Sequence, residues 1–235
     1  MAGKFLRGAL IAFTETFPLP IPNVIIFQYN PETMTHGWTP ATTAPAGRDA
    51  AGHPVNQLAI TGPPVESFNF TLAMDSNDMI ADGDVIETGL AEISGVYSRL
   101  AAIEMLLFPT AAPGAGLIGS VSSALGITAS APSRQVPLGN LPTVLFVWGP
   151  GRIVPVRVTS LSITEKLYDS ILLNPTHAEA QIGLRVLTSD ELSFVDGPLK
   201  PVAEMASSYS QKLREALALA NLANAAESIV GMLPI

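Results

Sequence analysis

The chain has 235 residues, 48% of them hydrophobic and only 14% charged, with a net charge of −8 and no cysteine. The acidic balance excludes a protein that neutralises nucleic-acid phosphates, and the missing thiols exclude disulfides, thiolate catalysis and cysteine-ligated metals. Charge this far below the usual quarter of a soluble monomer fits either surface buried against partners or an Ala-rich background.

In chain order, Phe5 to Phe17 reads as a first strand with Phe5, Ala9, Ile11 and Phe13 on one face. Its apolar part is too short for a signal peptide, and no window approaches the roughly 18 apolar residues of a membrane span, so a cytoplasmic protein is expected. Pro18, Pro20 and Pro22 force an extended connector, and the β-branched run Val24 to Tyr29 predicts a short strand ended by Asn30-Pro31-Glu32. Thr39 to Pro54 has no periodicity and reads as a loop. Val65 to Asp75 alternates, with Phe68, Phe70, Leu72 and Met74 on the buried side. An acidic turn over Asp75–Asp84 leads to a helix from about Thr88 to Leu107, whose face is Leu90, Ile93, Tyr97, Leu100, Ile103 and Leu107, with Pro109 as its stop. Thr110 to Pro137 is an Ala/Gly/Ser/Pro insertion, read as a mobile loop or extended hairpin.

Pro142 to Leu187 predicts a three-stranded antiparallel meander. Its first run ends at Trp148, and Gly149-Pro150-Gly151 forms the turn. Val154, Val156 and Val158 alternate on one parity, whereas Leu161 and Ile163 fall on the other, so a bulge is expected near Thr159-Ser160. Asn174-Pro175 breaks the chain before a strand carrying Ala178, Ala180, Ile182, Leu184 and Val186 inward. After a linker at Gly197-Pro198 and Pro201, a helix is expected from about Val202 to Gly231, with Met205, Tyr209, Leu213 and Leu217 at four-residue spacing. Such a helix must dock, either on its own domain or on a neighbouring subunit. The fold expected is mainly β: two antiparallel sheets forming a sandwich or barrel over residues 1–196, one flanking helix, and a helical extension over 197–235.

Chemistry is sparse. His36, His53 and His177 are expected in three separate loops, without an i+4 partner or ligand spacing. The acidic run Asp75, Asn77, Asp78, Asp82, Asp84 fails the calcium-loop pattern at Met79 and Ile80. Gly149-Pro150-Gly151 precedes a strand rather than a helix and lacks an amide, so it is no phosphate cradle. No serine sits in a nucleophile elbow. No catalytic residue, metal or cofactor is expected, and Trp38 and Trp148 are the only candidate walls for a ligand-binding module.

The ordered landmarks resemble a known family. A basic N-terminal strand precedes Phe27-Gln28-Tyr29-Asn30-Pro31-Glu32; an alternating strand ends at Asp75; Asp84-Val85 stands before a helix. Pro142, Phe146-Val147-Trp148-Gly149, Leu167-Tyr168-Asp169, Asn174-Pro175 and Leu184-Arg185-Val186-Leu187 complete the order. Over residues 4 to 188 this is similar to the tube-protein domain of contractile injection systems, the phage-tail-like particles of bacteria. The resemblance implies subunits joined edge to edge in a hexameric ring, either as inner tube or as the adaptor between tube and spike hub. Partners would be other copies, the inner tube protein, the spike hub and other baseplate subunits, with no nucleic acid and no membrane span. The insertion and the added helix favour the adaptor. Interface candidates on this reading are Phe27, Asn30, Pro31, Trp148, Tyr168, Asn174, Pro175, Tyr209, Leu213 and Leu217.

Overall fold

A computed structural model describes residues 6–14, 21–41, 62–82, 94–108, 141–195 and 199–232. Seven strands form one antiparallel sheet: β1 (Ala9–Thr14), β2 (Ile21–Ile26), β3 (Met34–Thr39), β4 (Val65–Asp75), β5 (Val144–Val147), β6 (Ile153–Tyr168) and β7 (Pro175–Val186). Their spatial order is β2-β1-β5-β6-β7-β4-β3. Helices α1 (Ser76–Asp82), α2 (Tyr97–Glu104), α3 (Ser189–Leu192) and α4 (Lys200–Met232) flank it, with a short 3₁₀ turn at Met105–Leu107.

The mainly β fold with flanking helices is therefore present, but as one continuous sheet rather than two. The sheet folds over itself. Phe27, just past terminal strand β2, has its ring 5.6 Å from that of Phe70 on β4. Phe146 on β5 stands 5.3 Å from Phe68 and 5.5 Å from Phe70. These contacts unite both halves in one core, with Leu10, Val154, Val156, Ala180, Ile182 and Leu184 between them. The fold-over meets the same physical demand as a sandwich, because each half hides its apolar face against the other.

The alternation on β4 places Phe68, Phe70, Leu72 and Met74 in this core as expected. On β7, Ala178, Ala180, Ile182 and Leu184 are equally buried. The meander register slips between Val158 and Ser160, where a bulge was expected. Gly183 sits opposite it, and a Cβ there would lie 3.1 Å from the Thr159 hydroxyl and 3.0 Å from the Asn69 side chain. The bulge thus needs a residue without a side chain across from it.

Several expectations are corrected. On β1 the core side is Leu10 and Ala12, not Ala9 and Ile11; Ile11 packs on the other side, beneath α4. Strand β2 begins at Ile21 despite Pro22, which a terminal strand tolerates because one row of amides needs no partner. Asp75–Asp84 is partly helical: α1 starts at Ser76, and the Asp75 carboxylate accepts the Asn77 N–H (2.8 Å). The α2 region buries Val96, Leu100, Ile103 and Leu106, while Tyr97 is 49% exposed. β3 gave no signal because Met34–Thr39 has no apolar alternation, and His36 and His177 lie on strands. Phe5, Phe17, Pro18, Pro20, Thr88, Leu90, Ile93, Pro109, His53, Asp84, the 110–137 insertion, Gly197-Pro198 and most of the Thr39–Pro54 loop lie outside the described residues.

Candidate assembly surfaces

The interface candidates divide among three places. Near the N-terminus, Phe27, Asn30 and Trp148 converge on Gly8. Phe27 is 2% exposed and packs between Phe70 and Trp148, so its ring belongs to the core of its own chain. Gly8 is required there, since a Cβ would come within 2.6 Å of Phe27 and 2.7 Å of Trp148. The Asn30 side chain accepts from the Gly8 N–H (2.9 Å) and donates to the Leu6 carbonyl (2.9 Å), holding the chain entering β1. Pro31 follows, half-buried.

Beside this cluster stands terminal strand β2. Among the described residues it pairs only with β1, and β3 at the other end pairs only with β4. On β2 the side chains opposite the core, Val24 and Ile26, are 48% and 53% exposed.

The second place is the helix. Leu199, Ala203, Ala206, Ser210 and Arg214 recur at three- and four-residue spacing and form the docked side of α4. The small ones let the helix backbone approach Leu145 and Ile153 on the outer face of the sheet. The Ser210 hydroxyl donates to the Ile153 carbonyl (2.7 Å) and the Tyr209 hydroxyl to that of Pro150 (2.9 Å). Arg214 then grips Glu66 with two contacts, 2.7 and 2.5 Å, and its guanidinium lies 4.7 Å over the Trp38 ring. Glu66 projects from the core side of β4, its side chain 4% exposed, with His36 Nε2 2.8 Å away. The Met205, Tyr209, Leu213, Leu217 stripe is not the docked side: Leu213 is half-buried, and Met205 and Leu217 are 68% and 62% exposed. Between helix and strand ends lies a cleft of about 270 Å³ lined by Trp38, Glu66, Pro155, Thr188, Ser210 and Arg214. That is smaller than the roughly 300–1,000 Å³ of ligand sites, and its two charges already satisfy each other.

β4 is held at its far end too. The Gln28 amide donates to the Asp75 carbonyl (2.8 Å) and accepts the Asp75 N–H (3.0 Å). The Tyr29 hydroxyl reaches Asp78 on α1.

The third place is the tip of the β6–β7 hairpin. Asp169 organises it: its carboxylate accepts from the N–H groups of Ile171 (3.1 Å) and Leu172 (2.7 Å), and its own N–H donates to the Asn174 carbonyl (2.8 Å). Leu167 and Leu173 hold φ of 54° and 57°, left-handed values that cost a branched side chain about 1–3 kcal/mol each. The loop they permit presents Ile171, Leu172 and Leu173 to solvent, 84%, 56% and 71% exposed. Tyr168 is exposed and donates to Glu165 (3.2 Å), and buried Pro175 accepts the Val96 N–H (3.0 Å) at the base.

Sequence reading missed Glu66, Arg214, Ile171, Leu172 and Leu173. Paired ions distant in sequence leave no local pattern, but an Ile-Leu-Leu run inside a turn is a readable anomaly.

Two carboxylates are tuned. Burial alone would raise Glu191, but the Thr188 N–H and the Arg185 guanidinium outweigh it and hold the group below its usual value. The hydrogen bond from Lys166, with its charge, lowers Glu179. Among the described residues no cluster of three His, Asp or Glu is placed to hold a metal ion, and no helix is long and apolar enough to cross a membrane. No protein-family model matches the chain, and no curated protein does.

Proposed function

We propose that this chain is a structural subunit of a phage-tail-like contractile injection system, a hexameric ring adaptor joining the inner tube to the spike hub of the baseplate. The observation that carries the reading is the folded sheet ending in two strands, β2 and β3, each laddered on one side only among the described residues. Pairing β2 of one copy with β3 of the next is a head-to-tail contact, and such contacts close into rings when the rotation divides a full turn. Terminal strands left bare are an aggregation liability, so a neighbour is the economical cover. The chain would be made in the bacterial cytoplasm and assemble there with tube, hub and baseplate proteins. The added helix α4 supports the adaptor over the main inner-tube subunit.

Native mass spectrometry and electron microscopy of the full-length protein test this. Hexameric rings are expected. Val24→Lys with Ile26→Lys, at exposed positions on β2, should yield folded monomers. Wild-type protein that stays monomeric at about 100 µM, where even weak interfaces associate, would overturn the reading.

A further inference from the structure

We propose that the docked half of α4 is a clamp on terminal strand β3, with Arg214 holding β3 in the extended form that its open edge needs for pairing. The inference deepens the ring reading: it rests on that reading for the partner strand, but not for the clamp itself. Glu66 and Trp38 carry the connection from helix to strand.

The ladders decide which backbone groups of β3 are open. On β7 the Leu187 N–H donates to the Pro155 carbonyl of β6 (2.9 Å). Backbone groups of an antiparallel strand alternate between its two neighbours, so Leu184 and Ile182 turn theirs towards β4, where they meet Phe68 and Phe70. The other residues of β4 therefore face away from β7. Asp75 shows this directly, since its N–H and C=O both go to the Gln28 amide (3.0 and 2.8 Å). Val65, Ser67 and Asn69 share that parity and face Thr39, Gly37 and Thr35 of β3. The row of β3 left pointing outward is Met34, His36 and Trp38.

Those same three residues are the ones whose side chains the body holds. Met34 packs against the core. His36 stacks 4.5 Å from the Phe68 ring and reaches Glu66 at 2.8 Å. Trp38 stands opposite Glu66 in the register, with the Arg214 guanidinium 4.7 Å over its ring. Two of the three anchors thus meet at the Glu66–Arg214 pair. β3 has little else to hold it. It is six residues long, none fully buried, laddered on one side only among the described residues, with Gly37 inside it. Such a strand is marginal without side-chain anchors. With the helix docked the open edge is already extended, and a partner strand meets little ordering cost. With Arg214 withdrawn, β3 frays and the edge is lost.

Amide hydrogen exchange by NMR tests the clamp on full-length protein carrying Val24→Lys and Ile26→Lys, so that no neighbour's β2 shields β3 whether or not rings exist. Arg214→Met should speed exchange of the Thr35, Gly37 and Thr39 amides about tenfold, through a local opening. Fraying exposes little surface, so this rise should not depend on low denaturant. Arg214→Lys keeps the charge without the planar stack and should fall between. Core amides such as Phe70 and Ile182 report the stability lost with the ion pair and rise in either case. No rise on β3, or a rise that follows denaturant as the core amides do, would overturn the clamp. In the wild-type background at about 100 µM, Arg214→Met should also lower the yield of hexamers. Rings as abundant as wild type would show that the clamp does not govern pairing, and so sink the proposal. Wild-type protein that forms no rings defeats the ring reading alone, and the exchange rates still decide the clamp.

Discussion

Glu66 and Arg214 stand 148 residues apart in sequence, and their pairing joins the helix to the sheet. The carboxylate is 4% exposed on a strand face otherwise given to Phe68 and Phe70, so its charge requires a partner. Arg214 provides it, its Nη2 reaching both carboxylate oxygens, and Trp38 stacks beneath the guanidinium. His36 is the remaining neighbour, 2.8 Å from one oxygen and stacked 4.5 Å from the Phe68 ring. Arg214→Met should therefore cost about 2 kcal/mol, since it strands a buried acceptor while sparing the side-chain volume. Glu66→Leu added to Arg214→Met should recover most of that loss, because the demand disappears with the charge. Denaturant titration of the four proteins gives the coupling. Costs that simply add would show that the pair is not the latch.

Elements differ in how much of them the sequence disclosed, and the reason is the reach of the interaction that makes each one. β4 and β7 are set by local alternation; β4 was legible to the residue, whereas β7 was expected from Ala178 and begins at Pro175. The bulge was legible because parity changes between Val158 and Leu161. The docked side of α4 was not, since the eye follows large side chains while close packing here selects Ala203, Ala206 and Ser210. Nor was the single folded sheet: local pattern gives strands but not which ones share an edge. Helix α3 shows a short-range signal passed over. Thr188 and Glu191 form a reciprocal capping box, and Glu191 also pairs with Arg185 on β7 (2.6 Å). Because the folded state holds Glu191 below its usual 4.5, the cap contributes stability above that value and loses it as pH falls through the lowered one. Glu191→Gln should cost about 0.5–1 kcal/mol at neutral pH, the carboxylate being partly exposed. The gap to wild type should shrink as pH falls below 4.5 and the wild-type carboxyl is protonated in turn. Thermal melts across that range measure it, and a gap independent of pH would mean the charge contributes nothing.

At the scale of the molecule, α4 does two different jobs along one axis. Its first half completes the body, covering Leu145 and neutralising Glu66; its second half leaves the body, as every side chain from Glu215 to Leu222 is exposed. Of the two expected docking modes, the structure shows the first half of α4 on its own domain. Two truncations separate the halves. A chain ended after Ala216 keeps Arg214 and every docked residue, and should melt within a few degrees of full length. A chain ended after Pro198 bares Leu145 and strands Glu66, a loss of roughly 3 kcal/mol or more, which for a domain of this size lowers the melting temperature by about 6–12 °C. If both truncations melt alike, the first half is not part of the body and the Glu66 latch has no structural weight. If the shorter chain melts low while the longer one matches wild type, the stabilising contacts of α4 are assigned to its first half, up to Arg214.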